Sequence, residues 1–104
     1  MTLRHLVAVR FRAGTPDAAR DAIHADLAGL RGRIEGILDF QVRRNVSPEE
    51  PVVRGFRDLF WFDFRDAGVR DRYLADEVHR AIGARLVAAA EGGAEGIFVC
   101  DFEV

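Results

Sequence analysis

Two periodicities alternate along the chain. Over residues 3–12, Leu3, His5, Val7, Val9 and Phe11 fall on one face and Arg4, Leu6, Ala8, Arg10 and Arg12 on the other, the period of two that marks a strand. A turn at 13–17 follows, with Thr15 expected as an N-cap and Pro16 at the first helical position. Ala19, Ile23, Leu27, Leu30 and Ile34 then recur at steps of three and four, which predicts an amphipathic helix over 16–34 that Gly36 closes. Alternation returns over 37–45, with Leu38, Phe40 and Val42 assigned to one face, and a polar, proline-marked loop covers 45–51. In a third strand at 56–64, Phe56, Asp58, Phe60, Phe62 and Phe64 point one way and Leu59 and Trp61 the other. Asp66 is placed to cap a second helical region running to about residue 90. The glycine-rich stretch 92–96 closes it, and a last strand fills 97–104.

The order β-α-β-β-α-β in 104 residues predicts one α+β domain of ferredoxin-like architecture, with a four-stranded antiparallel sheet. Right-handed crossovers put both helical segments on the same face of that sheet. The opposite face then carries Leu59 and Trp61, which a solvated surface does not hold side by side without cover. A second copy packing sheet to sheet supplies the cover, so a homodimer is expected.

Composition narrows the function classes. All fifteen basic residues are arginine, and against seventeen acidic ones they leave a net charge of −2. No general basic footprint for nucleic acid or an anionic membrane exists, and without lysine a Schiff-base mechanism is excluded. The single cysteine, Cys100, forms no internal disulfide and fits a reducing, cytoplasmic setting. No secretory h-region and no apolar run long enough to span a membrane is found. The glycines at 92–96 follow a helix and precede no Lys-Ser/Thr pair, so they are not read as a phosphate loop.

Several segments together resemble the stress-responsive dimeric α/β-barrel family: Arg4-His5-Leu6-Val7, Arg44-Asn45-Val46-Ser47-Pro48, Gly55-Phe56, Tyr73-Leu74 followed by His79, and Val99-Cys100-Asp101-Phe102-Glu103-Val104. The resemblance implies a dimer in which two sheets close into a barrel, with a cavity between each sheet and its helices. Some members act as cofactor-free polyketide cyclases, using a tyrosine and a histidine six residues later. Tyr73 and His79 match that pair, and His5 matches a cavity-lining position. Departures from the pattern are Glu77 where members often carry proline, Asp58 where cyclase-like members carry histidine, and Ile23 and His24 where larger aromatics stand.

The candidate chemistry depends on geometry. On an unbroken helix six residues subtend about 600°, leaving Tyr73 and His79 roughly 120° apart. They converge only if the helix breaks, and Asp76 can end one helix and cap the next. His79 is then a candidate general base, with an ordinary pKa of about 6.5. Tyr73 is a candidate donor to a developing oxyanion, and Asp58 a candidate orienter of His79 or, alternatively, the partner of an arginine. The expected cavity wall comprises His5, Val7, Ile23, His24, Leu27, Phe60 and Ile82. His5, His24, His79 and Asp58 suit a metal in type, but no local ligand spacing supports one, so neither a metal nor a cofactor is expected.

Three functions compete. The first is a cofactor-independent cyclase or lyase-type enzyme on a small aromatic or polyketide-like carbonyl compound. The second is a non-catalytic module for a small apolar ligand. The third is a heme- or oxygen-dependent monooxygenase-like barrel.

Overall fold

A computed structural model describes residues 1–104. Four strands, β1 (Leu3–Val9), β2 (Ile37–Arg44), β3 (Asp58–Phe64) and β4 (Ile97–Glu103), form one sheet in the order β2-β3-β1-β4. Every pairing is antiparallel. The helices are α1 (Asp17–Ala28), α2 (Glu50–Val53), α3 (Ala67–Ala75) and α4 (Glu77–Ala89), and 3-10 turns follow α1 and precede β4. The ferredoxin-like arrangement is the expected one, and α2 is an addition that begins within the expected loop and runs two residues past it.

One face of the sheet makes the core. Val7 and Val9 of β1 and Phe60, Phe62 and Phe64 of β3 are buried against Ile23 and Leu27 of α1, Tyr73 of α3, and Ile82 and Leu86 of α4. The first helix stops at Ala28 because Gly29 and Gly32 favour the tighter turn that follows. Pro16 rather than Thr15 sits at its N-cap, and the Thr15 hydroxyl bonds back to the Arg12 carbonyl. A bulge between Ile37 and Asp39 changes the face assignment in β2: Ile37 is buried and Leu38 lies 48% exposed. Gly36, at φ +99°, makes the turn into β2, and a Cβ there would run into the Val69 side chain of α3. The close approach seats α3 against the sheet, which is what brings Tyr73 over β1 and β3.

The other face carries Leu6, Leu59, Trp61, Phe98, Cys100 and Phe102; the single turn of α2 reaches one end of it, where Val52 and Val53 line a pocket with Ala8, Leu59 and Phe98. Trp61 lies between the guanidinium groups of Arg4 and Arg43, at 5.0 and 5.6 Å from its ring centroid. Phe98 and Phe102 are 54% and 40% exposed. No helix is long and apolar enough to cross a membrane.

Candidate functional site

The second helical region breaks at one residue. Asp76, extended at φ −67° and ψ 130°, ends α3 and caps α4. Its carboxylate accepts the backbone N–H of Val78 at 2.9 Å and of His79 at 3.0 Å. Arg33 donates to the same carboxylate at 2.9 and 3.1 Å. The His79 peptide N–H above all, with Arg33 behind it, holds the Asp76 carboxyl below its usual range. The break removes the angular offset of a continuous helix, and the rings of Tyr73 and His79 meet with centroids 3.8 Å apart at 34°.

Both rings border a cavity of about 330 Å³ between the sheet and α3–α4. His5, Val7, Leu27, Phe60, Tyr73, His79 and Ile82, all nominated from the sequence, line it together. Leu74, Gly83, Leu86, Val87, Ile97, Val99 and Asp101 complete the wall. Leu74, Val87 and Val99 are exposed, so the cavity opens between the helices and the β4 edge. No arginine lines it, although the chain has fifteen basic residues.

Burial dominates the electrostatics. The Tyr73 phenol is 1% exposed, and burial, with the charge of Asp101 added, pushes its pKa up. The hydroxyl therefore stays a hydrogen-bond donor across the working pH range. Burial lowers the pKa of His79, the charge of His5 lowers it further, and Asp76 pulls more weakly the other way. His79 is thus neutral near pH 7, and its Nδ1 is sealed off without a partner.

His5 is paired with a residue that the sequence reading passed over. It lies across β1 from Asp101 of β4, and its Nδ1 stands 2.6 Å from Asp101 Oδ1. A carboxylate only accepts, so the proton is on Nδ1. Arg70 Nη1 donates to the other Asp101 oxygen at 3.1 Å. Burial lowers the His5 pKa, and the bond to Asp101 opposes it. Its ring meets Tyr73 edge-on, with centroids 5.4 Å apart. The signal for Asp101 was present: if Phe98, Cys100 and Phe102 alternate outward, then Ile97, Val99 and Asp101 point inward.

Three nominated residues stand elsewhere. Asp58 is on the helix-facing side of β3, yet Arg44 Nη1 donates to both its oxygens at 3.1 Å. It borders a separate polar groove with His24, so it does not orient His79. The register explains why: Asp58 lies opposite Val9, whereas His5 lies opposite Phe62, four residues away along β1. His24 packs edge-on against Phe11 and Phe60, its Nε2 buried without a partner, and burial lowers its pKa. Ile23 is a core residue 5% exposed and is not part of the cavity wall. No group of three or more His, Cys, Asp or Glu side chains is placed to hold a metal ion.

The chain is 31% identical to a dimeric ferredoxin-like protein of unknown function from Jannaschia sp. CCS1, over 100% of both chains and with a TM-score of 0.83. The Arabidopsis thaliana protein At3g17210 is 19% identical with a TM-score of 0.86, over 98% of this chain and 94% of the other. A hydroxynitrile lyase from Passiflora edulis is 17% identical with a TM-score of 0.82, over 99% and 93%. At those identities the two plant proteins share the fold. No curated protein matches the sequence. The family model of the stress responsive A/B barrel domain matches residues 3–104, and the chain belongs to that family.

Proposed function

We propose that the chain is a cofactor-independent enzyme of the cyclase or lyase type, acting on a small, neutral aromatic or polyketide-like carbonyl compound. The observation that carries this reading is the meeting of Tyr73 and His79 at the wall of one apolar, ligand-sized cavity. Neutral His79 takes a proton from the carbon next to the carbonyl; the electron pair moves into the new C=C bond and the charge onto oxygen. Tyr73 donates its hydroxyl to that oxygen. An anionic substrate finds no arginine in the wall, which favours a neutral one. A hydroxynitrile lyase shares the fold; on a 2-hydroxynitrile the same base would take the hydroxyl proton instead, the C=O bond forming as the bond to cyanide breaks and cyanide leaves.

The test is turnover of a panel of aromatic β-diketones and 2-hydroxynitriles by the wild type and by His79→Ala. Loss of turnover with an intact fold supports the enzyme. Undiminished turnover rejects His79 as the base. The second reading, a non-catalytic binding protein, is favoured by the hydrophobic wall itself; binding by both proteins with turnover by neither selects it.

The open face points to a homodimer, packed sheet to sheet through Trp61, Phe98 and Phe102. The Jannaschia protein, 31% identical, is a dimer. Light scattering on the wild type and on Trp61→Asp checks this: the wild type is expected at twice the chain mass and the variant at the chain mass. A cytoplasmic setting accords with the lone free cysteine, Cys100.

A further inference from the structure

His79 is not the only imidazole at the cavity, and it is not the one held by a carboxylate. We propose that His5 is a second proton acceptor in this cavity and that Asp101 is its positioning residue, fixing the ring so that Nε2 receives a proton from the bound carbonyl compound. The inference rests on the proposed carbonyl chemistry but assigns different residues.

Three observations carry it. First, Asp101 accepts Nδ1–H of His5 at 2.6 Å, which leaves the lone pair on Nε2. Second, that nitrogen has no protein partner and is not one of the sealed polar atoms. Third, His5 and Asp101 border the same cavity as Tyr73, and the Tyr73 ring packs against both imidazoles, with centroids 5.4 Å from His5 and 3.8 Å from His79. A base oriented by a third group is the more effective arrangement. His79 lacks one, and Asp58, the carboxylate expected to serve it, is engaged by Arg44.

In the step itself a ligand C–H bond breaks and an N–H bond forms at His5 Nε2. The electron pair moves toward the carbonyl oxygen, which Tyr73 holds. The imidazolium that results is stabilised by Asp101, whose second oxygen stays with Arg70. The charged and titratable groups around His5 are therefore Asp101 on β4, Arg70 and Tyr73 on α3, and His79 on α4.

The probe is 5-nitrobenzisoxazole, a neutral aromatic whose C–H loss to a base opens the N–O bond and releases a coloured phenolate. Wild type, Asp101→Asn, His5→Gln, Tyr73→Phe and His79→Gln are compared across pH 5–9, with imidazole ¹⁵N spectra of each. The wild type is expected to show His5 protonated on Nδ1 alone and to turn the probe over above the buffer rate. Asp101→Asn keeps an acceptor for Nδ1 but loses the charge, so kcat falls by about tenfold or more at little change in KM. Its pH limb and the His5 titration move together to lower pH, and His5→Gln abolishes turnover. Asp101→Asn and His5→Gln at the wild-type rate, with loss in Tyr73→Phe and His79→Gln, overturn this inference and leave the proposed function standing. The reverse pattern removes His79 from the chemistry and keeps His5. A wild type that does not accelerate the probe, or a His5 spectrum protonated on Nε2, overturns the inference.

Discussion

The helix-facing side of the sheet holds two histidine–carboxylate neighbourhoods that differ in what the carboxylate holds. At one end Asp101 takes the Nδ1–H of His5. At the other, about 13 Å along the strand, Asp58 sits near His24 but is occupied by Arg44. A guanidinium keeps its proton at any working pH and satisfies a carboxylate permanently, whereas an imidazole partner leaves a second nitrogen free for exchange. The apolar cavity lies at the imidazole end and the polar groove at the guanidinium end. Residue types alone do not separate the two; the partner of each carboxylate does.

The largest effect expected is shared by both ends. Phe62→Ala removes a fully buried ring that touches Phe40, Phe60, Phe64 and Tyr73. It should cost about 3–5 kcal/mol, read by urea unfolding, and abolish function with the fold. A loss below about 1 kcal/mol means that this face is not a packed core.

Asp76→Ala should act at the imidazole end only. It removes the cap of α4 and the hinge that brings His79 to Tyr73, lowering Tm by about 5 °C. Any cavity-dependent turnover should drop with it, while the groove around His24 keeps its spectrum. Unchanged Tm and turnover contradict the hinge.

Gly83 tests whether the cavity is kept open against stability. It is a helical glycine at the cavity wall, and a Cβ there would meet nothing within 4 Å. Gly83→Ala should stabilise the fold by about 1 kcal/mol and weaken ligand binding, whereas Gly83→Leu fills the space and stops it. Asp58→Asn should do less, about 0.5–1 kcal/mol of destabilisation, because Arg44 is 58% exposed. It should leave cavity chemistry untouched.

The smallest effect is a pH dependence. Burial lowers the pKa of His5, His24 and His79 in the fold. The unfolded chain then binds protons first as pH falls. The stability from keeping these rings neutral is fully present above about pH 6.5 and is lost as pH drops through their folded values. Tm should decline on acidification below that point, and less steeply in His79→Gln; a flat profile contradicts burial of neutral rings.

Much of this was legible in the sequence because period and spacing report directly on faces. The alternation in β1 and β3 placed His5, Val7 and Phe60 on the cavity side. The Asp76 cap signal placed the break that joins Tyr73 to His79. What escaped needed long-range pairing. The bulge that turns Leu38 outward leaves no local mark, and Asp58 and Asp101 look alike until strand register decides which lies across from His5. His24 and Ile23 sit on one amphipathic helix, and only its rotation over the sheet sends them away from the cavity. The short α2 is a single turn, below what periodicity detects.

If the proposed function holds, one cavity presents Tyr73, His79 and His5 together to a small neutral carbonyl compound. The most direct test is a titration with acetophenone followed by NMR. Saturable shifts of Tyr73, His79, Leu27 and Ile82 and of the His5 ring nitrogens are expected, with the His24 ring unmoved. Shifts confined to the groove of His24 and Asp58 or to the open face, or no saturable shift at all, would contradict it.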